Sequence, residues 1–405
     1  MKPRGYSIVK ISRKAEATLT AGHPWVYDSE VFDDDGTTPN GGVIDITNQR
    51  GSYLATGFIN RNSKIRLRVL TRNPNEKIDH GFFRRRLMRA VDYRRRVMGE
   101  QFECCRLIFG ESDGFPGLTV DRFGSVLVTQ TLSLGTEQHK MDIITALVEI
   151  LAEGGDEITG VFERNDVSVR SLEGMEQNKG WLPVTGLSTE GSTDVVICEN
   201  GVKYHVDIEN GQKTGFFLDQ KYNRQAVGQM AKGLRVLDCF THTGSFALNC
   251  ALGGAESVVA ADISQEAIDC AQSNARLNGL EDRMKFLCVN VFDFLPTVRQ
   301  GEYDMIILDP PAFTKSRGTI DSAIRGYKEI NLRAMKALSG GGYLATCSCS
   351  HFVTDELFCD MLRSAAADAG VSLRQIEGRQ QSKDHPIMWN VPETAYLKFY
   401  IFQKM

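Results

Sequence analysis

Two cysteines two residues apart, Cys347 and Cys349, lie in the stretch GGYLATCSCSHF from Gly341 to Phe352. Gly-Gly breaks a helical pattern there, and a short run of strand formers leads into the thiols. Forty residues before Cys349, the apolar run MIILDPPAF passes into Asp309-Pro310-Pro311. A thiolate forms and releases covalent adducts. A carboxyl group stabilises or protonates charge that develops on a reacting ring. Open α/β sheets transform ligands at the C-terminal ends of their strands. An acid and a thiol at two such ends suit chemistry on an electrophilic ring. Strand alternation puts Cys347 two residues further inside the strand on the same face as Cys349, so two thiols compete for the nucleophile, and Asp309 is the expected acid. The competing reading makes both thiols small buried hydrophobes.

From about residue 191 strands alternate with helices, the pattern of a doubly wound α/β sheet. Strands are expected at Arg235–Phe240, Ser257–Asp262, Met284–Asn290, Tyr303–Asp309 and Tyr343–Cys349. Leu373–Gly378 and Leu397–Gln403 form a closing antiparallel hairpin. The first strand–helix turn, VLDCFTHTGSFAL, carries Asp238, Phe240, Thr243 and Gly244. It has one glycine where a dinucleotide site has three, and it has an acid at the strand end. Pyrophosphate would be repelled by Asp238, whereas a cationic sulfonium with an amino-acid tail would not. The next strand ends at Asp262-Ile263, where a carboxylate accepts ribose hydroxyls. Asn290, Val291 and Phe292 follow the third strand, at the place of an adenine. Together with Asp309 this ordered set points to S-adenosylmethionine.

The rest of the chain supplies two further pieces. Residues 1–72 read as a small all-β domain, with strands at Tyr6–Ile11, Val43–Ile46, Tyr53–Phe58 and Ile65–Leu70, a short helix at Ala15–Ala21 and a turn at DDDG. Trp25 is expected in its core. Residues 73–190 read as an α+β middle domain, and 191–405 as the third domain. The net charge is −4, yet Arg61–Arg96 holds thirteen Lys or Arg against three acids. Such a block is a phosphate-binding surface or a helix whose arginines pair with acids elsewhere. On the first reading Arg84, Arg85, Arg86, Arg89, Arg94 and Arg95, with Lys315, contact RNA. No run of about eighteen apolar residues occurs, and MKPRGYSIVKISRK lacks a signal-peptide core. A cytoplasmic protein with reduced thiols is expected. The ten cysteines form no metal-knuckle spacing, so neither zinc nor an iron–sulfur cluster is expected.

KTGFFLDQKYNR, DCFTHTGSF, LDPPAFTKSR, RGYKEINLRAMKAL and CSCS together closely resemble the bacterial large-subunit rRNA cytosine-C5 methyltransferase I family. The resemblance spans essentially the whole chain. Gly22-His23-Pro24-Trp25-Val26 and GFINRNSKIRLRVL resemble the PUA RNA-binding domain. The family implies a PUA-like domain, a middle domain and a Rossmann-like class I methyltransferase domain. It also implies 5-methylcytosine in large-subunit rRNA as product, and because the attacking Cys of cytosine-C5 RNA enzymes follows the strand after Gly-Gly, it implies Cys349 rather than Cys347 as the nucleophile. The resemblance further suggests that Phe217, Gln220 and Arg224 face the cofactor or RNA, with Arg224 on the methionine carboxylate. Many RNA cytosine-C5 enzymes carry a second Cys just after the Pro of the Asp-Pro motif; here Ala312 and Phe313 follow Pro311. Related guanine methyltransferases share KTGFFLD and DPP-x-F but lack the thiols. An RNA-binding assembly factor with an inactive domain is the third reading, separable by cofactor affinity. A homodimer is left open. His385 reads as a satisfied loop histidine, and His242, in the cofactor turn, as a residue behind the ligand contacts.

Overall fold

The computed structural model describes residues 5–405, so the first four residues of the 1–72 domain lie outside the described residues. The chain forms two compact units. One takes the chain up to Ile197 together with Val206–Leu218 and Lys383–Thr394; the other takes Cys198–His205, Asp219–Ser382 and Ala395–Met405. The first unit therefore takes in residues 191–197 and two further segments within 191–405.

The first unit opens with a six-stranded sheet. Its spatial order is Trp25–Tyr27, Ile65–Thr71, Tyr53–Ile59, Val43–Thr47, Ser7–Ile11, Val31–Asp34. Alternate residues Val9, Ile11, Ile44, Ile46 and Leu67 point into one core with Ala15 and Leu19 of the helix Arg13–Thr20. Two strands differ from the sequence expectation. Val31–Asp34 takes in the first two acids of DDDG, because as an edge strand it exposes Asp33 to water. Trp25–Tyr27 also forms, and there Val26 fills the core. Trp25 is only half-buried, its indole N–H donating to Glu111 Oε1 at 2.9 Å.

The same unit holds the long helix His80–Met98 and a five-stranded sheet built from Cys104–Phe109, Leu118–Phe123, Val126–Thr131, Gly160–Arg164 and Lys179–Trp181. The Asp79 carboxylate caps the helix by accepting the Phe82 N–H at 2.9 Å. Phe82, Phe83, Leu87, Ala90, Val91 and Met98 bury one face. Gly99, at φ 52°, ends it in a conformation that glycine adopts without a Cβ penalty.

The second unit is a seven-stranded sheet. Its elements are α1 (Lys221–Met230), β1 (Arg235–Cys239), α2 (Ser245–Leu252), β2 (Ser257–Asp262), α3 (Gln265–Leu277), β3 (Met284–Cys288), α4 (Val291–Phe294), β4 (Met305–Leu308), α5 (Ile320–Ala337), β5 (Tyr343–Ser348), α6 (Asp355–Ala369), β6 (Leu373–Arg379) and β7 (Lys398–Lys404). The spatial order is β3-β2-β1-β4-β5-β7-β6. The first five strands run parallel, and β7 pairs antiparallel with both β5 and β6. Central strands such as MIIL are apolar throughout because helices cover both faces. Parallel pairing of β1 with its two neighbours brings the C-terminal ends of β2, β1 and β4 to one edge, where the order of connection reverses.

Candidate active site

Asp238 ends β1 inside the core. Its Oδ2 accepts the Thr241 hydroxyl at 2.6 Å and the Ala247 N–H at 3.0 Å, while Oδ1 has no hydrogen-bond partner. Burial raises this carboxyl to about 7. A buried acid with one oxygen unused is what a cationic ligand group would complete. The turn beyond it is strained. Phe240, His242 and Gly244 have φ of 64°, 50° and 78°, a region that non-glycine residues rarely occupy. At Gly244 a Cβ would lie 3.0 Å from the Ala271 Cβ, so only glycine lets the turn sit this close to α3. Thr243 is buried, and its carbonyl accepts Asn274 Nδ2 at 3.0 Å. Burial pushes His242 down, toward the neutral ring.

Asp262, at the end of β2, holds this turn. The His242 N–H donates to Oδ2 at 2.9 Å and the Ser264 N–H to Oδ1 at 3.0 Å. Each oxygen keeps a second lone pair for a ribose hydroxyl. Ile263 is 68 % exposed and Phe292 37 % exposed. Two large apolar side chains kept in water after neighbouring strands offer faces for a flat ring. Phe292 packs against Phe313 at 5.8 Å and Phe240 at 6.4 Å between centroids. Asn290 and Val291 have scaffold roles here: Asn290 Oδ1 caps α4 by accepting the Phe292 N–H at 3.0 Å, and Val291 lies in the core. These side chains fit S-adenosylmethionine, with Asp238 for its positive charge, Asp262 for the ribose, and Ile263 with Phe292 for the adenine.

The two thiols differ sharply. Cys347 is fully buried, and its S–H donates to Asp309 Oδ1 at 2.8 Å. Burial drives this thiol far above the ordinary range, so it stays protonated and unreactive. Cys349 is only half-buried, its sulfur 4.0 Å from the Pro310 carbonyl oxygen. Asp309 Oδ1 also accepts Gln220 Nε2 at 3.0 Å, and the same amide donates to Cys347 Sγ at 3.3 Å. Asn223 Nδ2 fixes that amide by donating to Gln220 Oε1 at 2.6 Å. Gln220 thus joins the acid rather than standing alone as a cofactor contact. Burial lifts Asp309 to about 6, while the bonds from Cys347 and Gln220 pull it back. Near neutral pH it is present in both protonation states.

Other expected contacts fall elsewhere. Arg224 is buried, and its Nε and Nη2 donate to Glu199 at 2.7 and 3.0 Å. That buried ion pair replaces the expected pairing with a cofactor carboxylate. Phe217 belongs to the first unit, where the Lys213 ammonium lies 4.8 Å over its ring. His385, also of the first unit, is buried and shares a 2.9 Å hydrogen bond with Asp384.

The arginine helix also departs from a simple basic face. Arg94 is 0 % exposed, doubly bonded to Asp113 and donating to the Arg106 carbonyl at 2.9 Å. Arg84 pairs with Glu149 and Glu153, and Arg95 with Asp156. Arg86 stacks on Phe82 at 4.2 Å and donates to the Gly114 carbonyl. Arg85, Arg89 and Lys315 are exposed, as is Arg96, which the RNA-contact set omitted. Among the described residues no cluster of metal-ligating side chains occurs, no disulfide joins two cysteines, and no helix is long and apolar enough to cross a membrane.

The S-adenosylmethionine-dependent methyltransferase family matches residues 177–403, and the PUA-like domain family matches residues 9–72. Ribosomal RNA large subunit methyltransferase I of Escherichia coli K12 is 41 % identical over 392 residues, covering 96 % of this chain and 97 % of the relative. The chain belongs to the large-subunit ribosomal RNA methyltransferase I family. It is an S-adenosylmethionine-dependent methyltransferase with an N-terminal PUA-like domain. Solved structures agree on the fold. A SAM-dependent methyltransferase from Streptococcus mutans superposes with a TM-score of 0.80 at 20 % identity, covering 98 % of this chain and 100 % of the other. A methyltransferase complexed with SAH gives a TM-score of 0.83 at 19 % identity, with the same coverage.

Proposed function

We propose that this enzyme methylates C5 of a cytosine in large-subunit ribosomal RNA through a covalent adduct with Cys349. One observation carries the reading: beside the cofactor turn, a half-buried thiol and a carboxyl group held near neutrality stand at the ends of adjacent strands. C5 of cytosine is too weak a nucleophile to take a methyl group unaided. The Cys349 thiolate adds to C6, forming the C6–S bond, and the displaced π pair moves through the ring to N3. Protonated Asp309 gives N3 its proton. The bound cofactor supplies an electrophilic methyl group. C5 takes that methyl as the N3 electron pair returns, and N3 hands its proton back to Asp309. A base then removes the C5 proton, the C5–C6 double bond re-forms, and the thiolate leaves with its electron pair. Cys347 remains a thiol throughout, orienting Asp309.

The target base must leave its stack to reach such a site. The PUA-like domain and the exposed Arg85, Arg89 and Lys315 support RNA as the macromolecule bound. The name of the Escherichia coli relative supports ribosomal RNA of the large subunit. Transfer of labelled methyl to unmodified large-subunit rRNA tests the reading. 5-Methylcytidine as the labelled nucleoside is expected; methylguanosine, or no transfer with cofactor bound, overturns it.

A further inference from the structure

Behind the nucleophile's strand lies a lysine that neither the motifs nor the mechanism above uses. Lys398 begins β7 opposite Ser348 of β5 and is 6 % exposed. Its ammonium group donates to the Ser350 carbonyl at 2.7 Å and to the Tyr396 carbonyl at 2.8 Å. Those are its only partners, so no carboxylate pairs with it among the described residues. A buried cation without an acid is costly, and two carbonyls ask only for a donor, not for a charge. The charge therefore calls for a further explanation.

The surroundings supply one. Ser350 follows Cys349 and is fully buried. Its hydroxyl meets the Tyr327 hydroxyl of α5 at 2.8 Å, and its N–H donates to Ser348 Oγ at 3.3 Å. Serines on either side of Cys349 are thus pinned. Titratable groups lie around Lys398 on or just beyond four elements, β4, β5, α5 and α6. Cys347 comes from β5 and Cys349 directly follows it, with Asp309, just past β4, bonded to Cys347. Asp355, which opens α6, accepts the Tyr400 hydroxyl at 2.7 Å. Tyr327 comes from α5, and Tyr396 donates its hydroxyl to Asp219 at 2.6 Å. Cys349 acts on the lysine's charge more than Asp355 or Cys347 does.

We propose that Lys398 is a positioning residue for Cys349: its ammonium group fixes the Cys349-Ser350 turn, and its charge favours the thiolate that attacks the base. The proposal rests on Cys349 being the nucleophile. Burial lowers Lys398 to about 8 even though Cys349, Asp355 and Cys347 pull it back up, so the cation persists at neutral pH and fades above it. A cation beside a half-exposed thiol is the arrangement that makes cysteines reactive.

The test is alkylation of Cys349 by iodoacetamide as a function of pH, followed on the peptide that contains it. Wild type, Lys398→Gln, Lys398→Arg and Tyr327→Phe are compared after each is shown to fold. The wild-type midpoint is expected below the ordinary thiol value of about 8.5. Lys398→Gln keeps a donor but loses the charge. It should raise the midpoint by about one unit and slow alkylation at pH 7 about tenfold, while Lys398→Arg restores the wild-type behaviour at pH 7. Tyr327→Phe should leave the midpoint in place. A wild-type midpoint at or above about 8.5 overturns the proposal without recourse to any variant, and so does an unchanged midpoint in folded Lys398→Gln. The readout is independent of turnover. Full methyl transfer by Cys349→Ala would sink the nucleophile assignment instead, and the two failures stay distinguishable.

Discussion

Arg94→Ala and Arg89→Ala lie five residues apart on one helix and should behave as opposites. Arg94 is wholly inside, bonded twice to Asp113 and also to the Arg106 and Asp384 carbonyls. Truncating it leaves Asp113 as a buried charge without its cation and takes one donor away from each of two carbonyls. Breaking one side of such a pair costs about 3–5 kcal/mol. For a unit of this size that corresponds to a fall in Tm of roughly 10 °C. Arg89 is exposed, and its truncation should change stability by no more than about 0.5 kcal/mol. Arg89→Ala should instead weaken RNA binding across sequences and reduce the salt slope of log K by about one. Calorimetric melting and RNA affinity over a salt series measure the two effects. The reasoning fails if Arg94→Ala melts with wild type, or if Arg89→Ala destabilises as much as Arg94→Ala does.

Four other outcomes follow from the second unit. Asp238 stands near 7, so S-adenosylmethionine affinity should rise as pH passes upward through about 7 and then level off; calorimetric titration of Asp238→Asn should give a flat profile. The same acid is raised by folding, so its contribution to stability is present below the unfolded value near 4 and is lost as pH rises through about 7. Thermal melts should therefore show Asp238→Asn gaining on wild type at pH 8 relative to pH 5. Cys347→Ala removes a bond that lowers Asp309, so the pH–rate limb of that acid should move to higher pH while methyl transfer persists. An unmoved limb would detach Asp309 from that profile. Gly244→Ala meets a left-handed backbone and the Ala271 Cβ, so cofactor affinity should fall at least tenfold, about 1.4 kcal/mol, by the same titration.

Strand ends were legible because their chemistry breaks the apolar run that precedes them. Asp238, Asp262 and Asp309 each stop such a run, and the next residue types mark the turn. The two thiols at the end of β5 were legible, and their spacing put Cys347 deeper in the strand, but which of them attacks came only from the family resemblance. The fate of the arginines was not. A run such as Arg84-Arg85-Arg86 looks solvated whether or not Glu149, Glu153 and Gly114 wait across the fold. Arg224 was misread for the same reason, since Glu199 lies outside its motif. Lys398 was invisible because a lysine at the start of LKFYIFQK reads as the polar entry to a strand. Nor does local sequence reveal that Lys383–Thr394 packs with the first unit. Such outcomes are decided by pairing between distant segments, and periodicity carries no record of it.

The covalent step is the central claim, and trapping tests it most directly. RNA bearing 5-fluorocytidine has no C5 proton to lose, so an adduct formed and methylated on it cannot release the thiol. Incubation with enzyme and S-adenosylmethionine should give a denaturation-stable complex whose peptide map places the nucleotide on Cys349. Cys349→Ala should give none, and Cys347→Ala should still give it. A complex mapped to Cys347, or turnover of natural RNA to 5-methylcytidine by Cys349→Ala, would contradict the account.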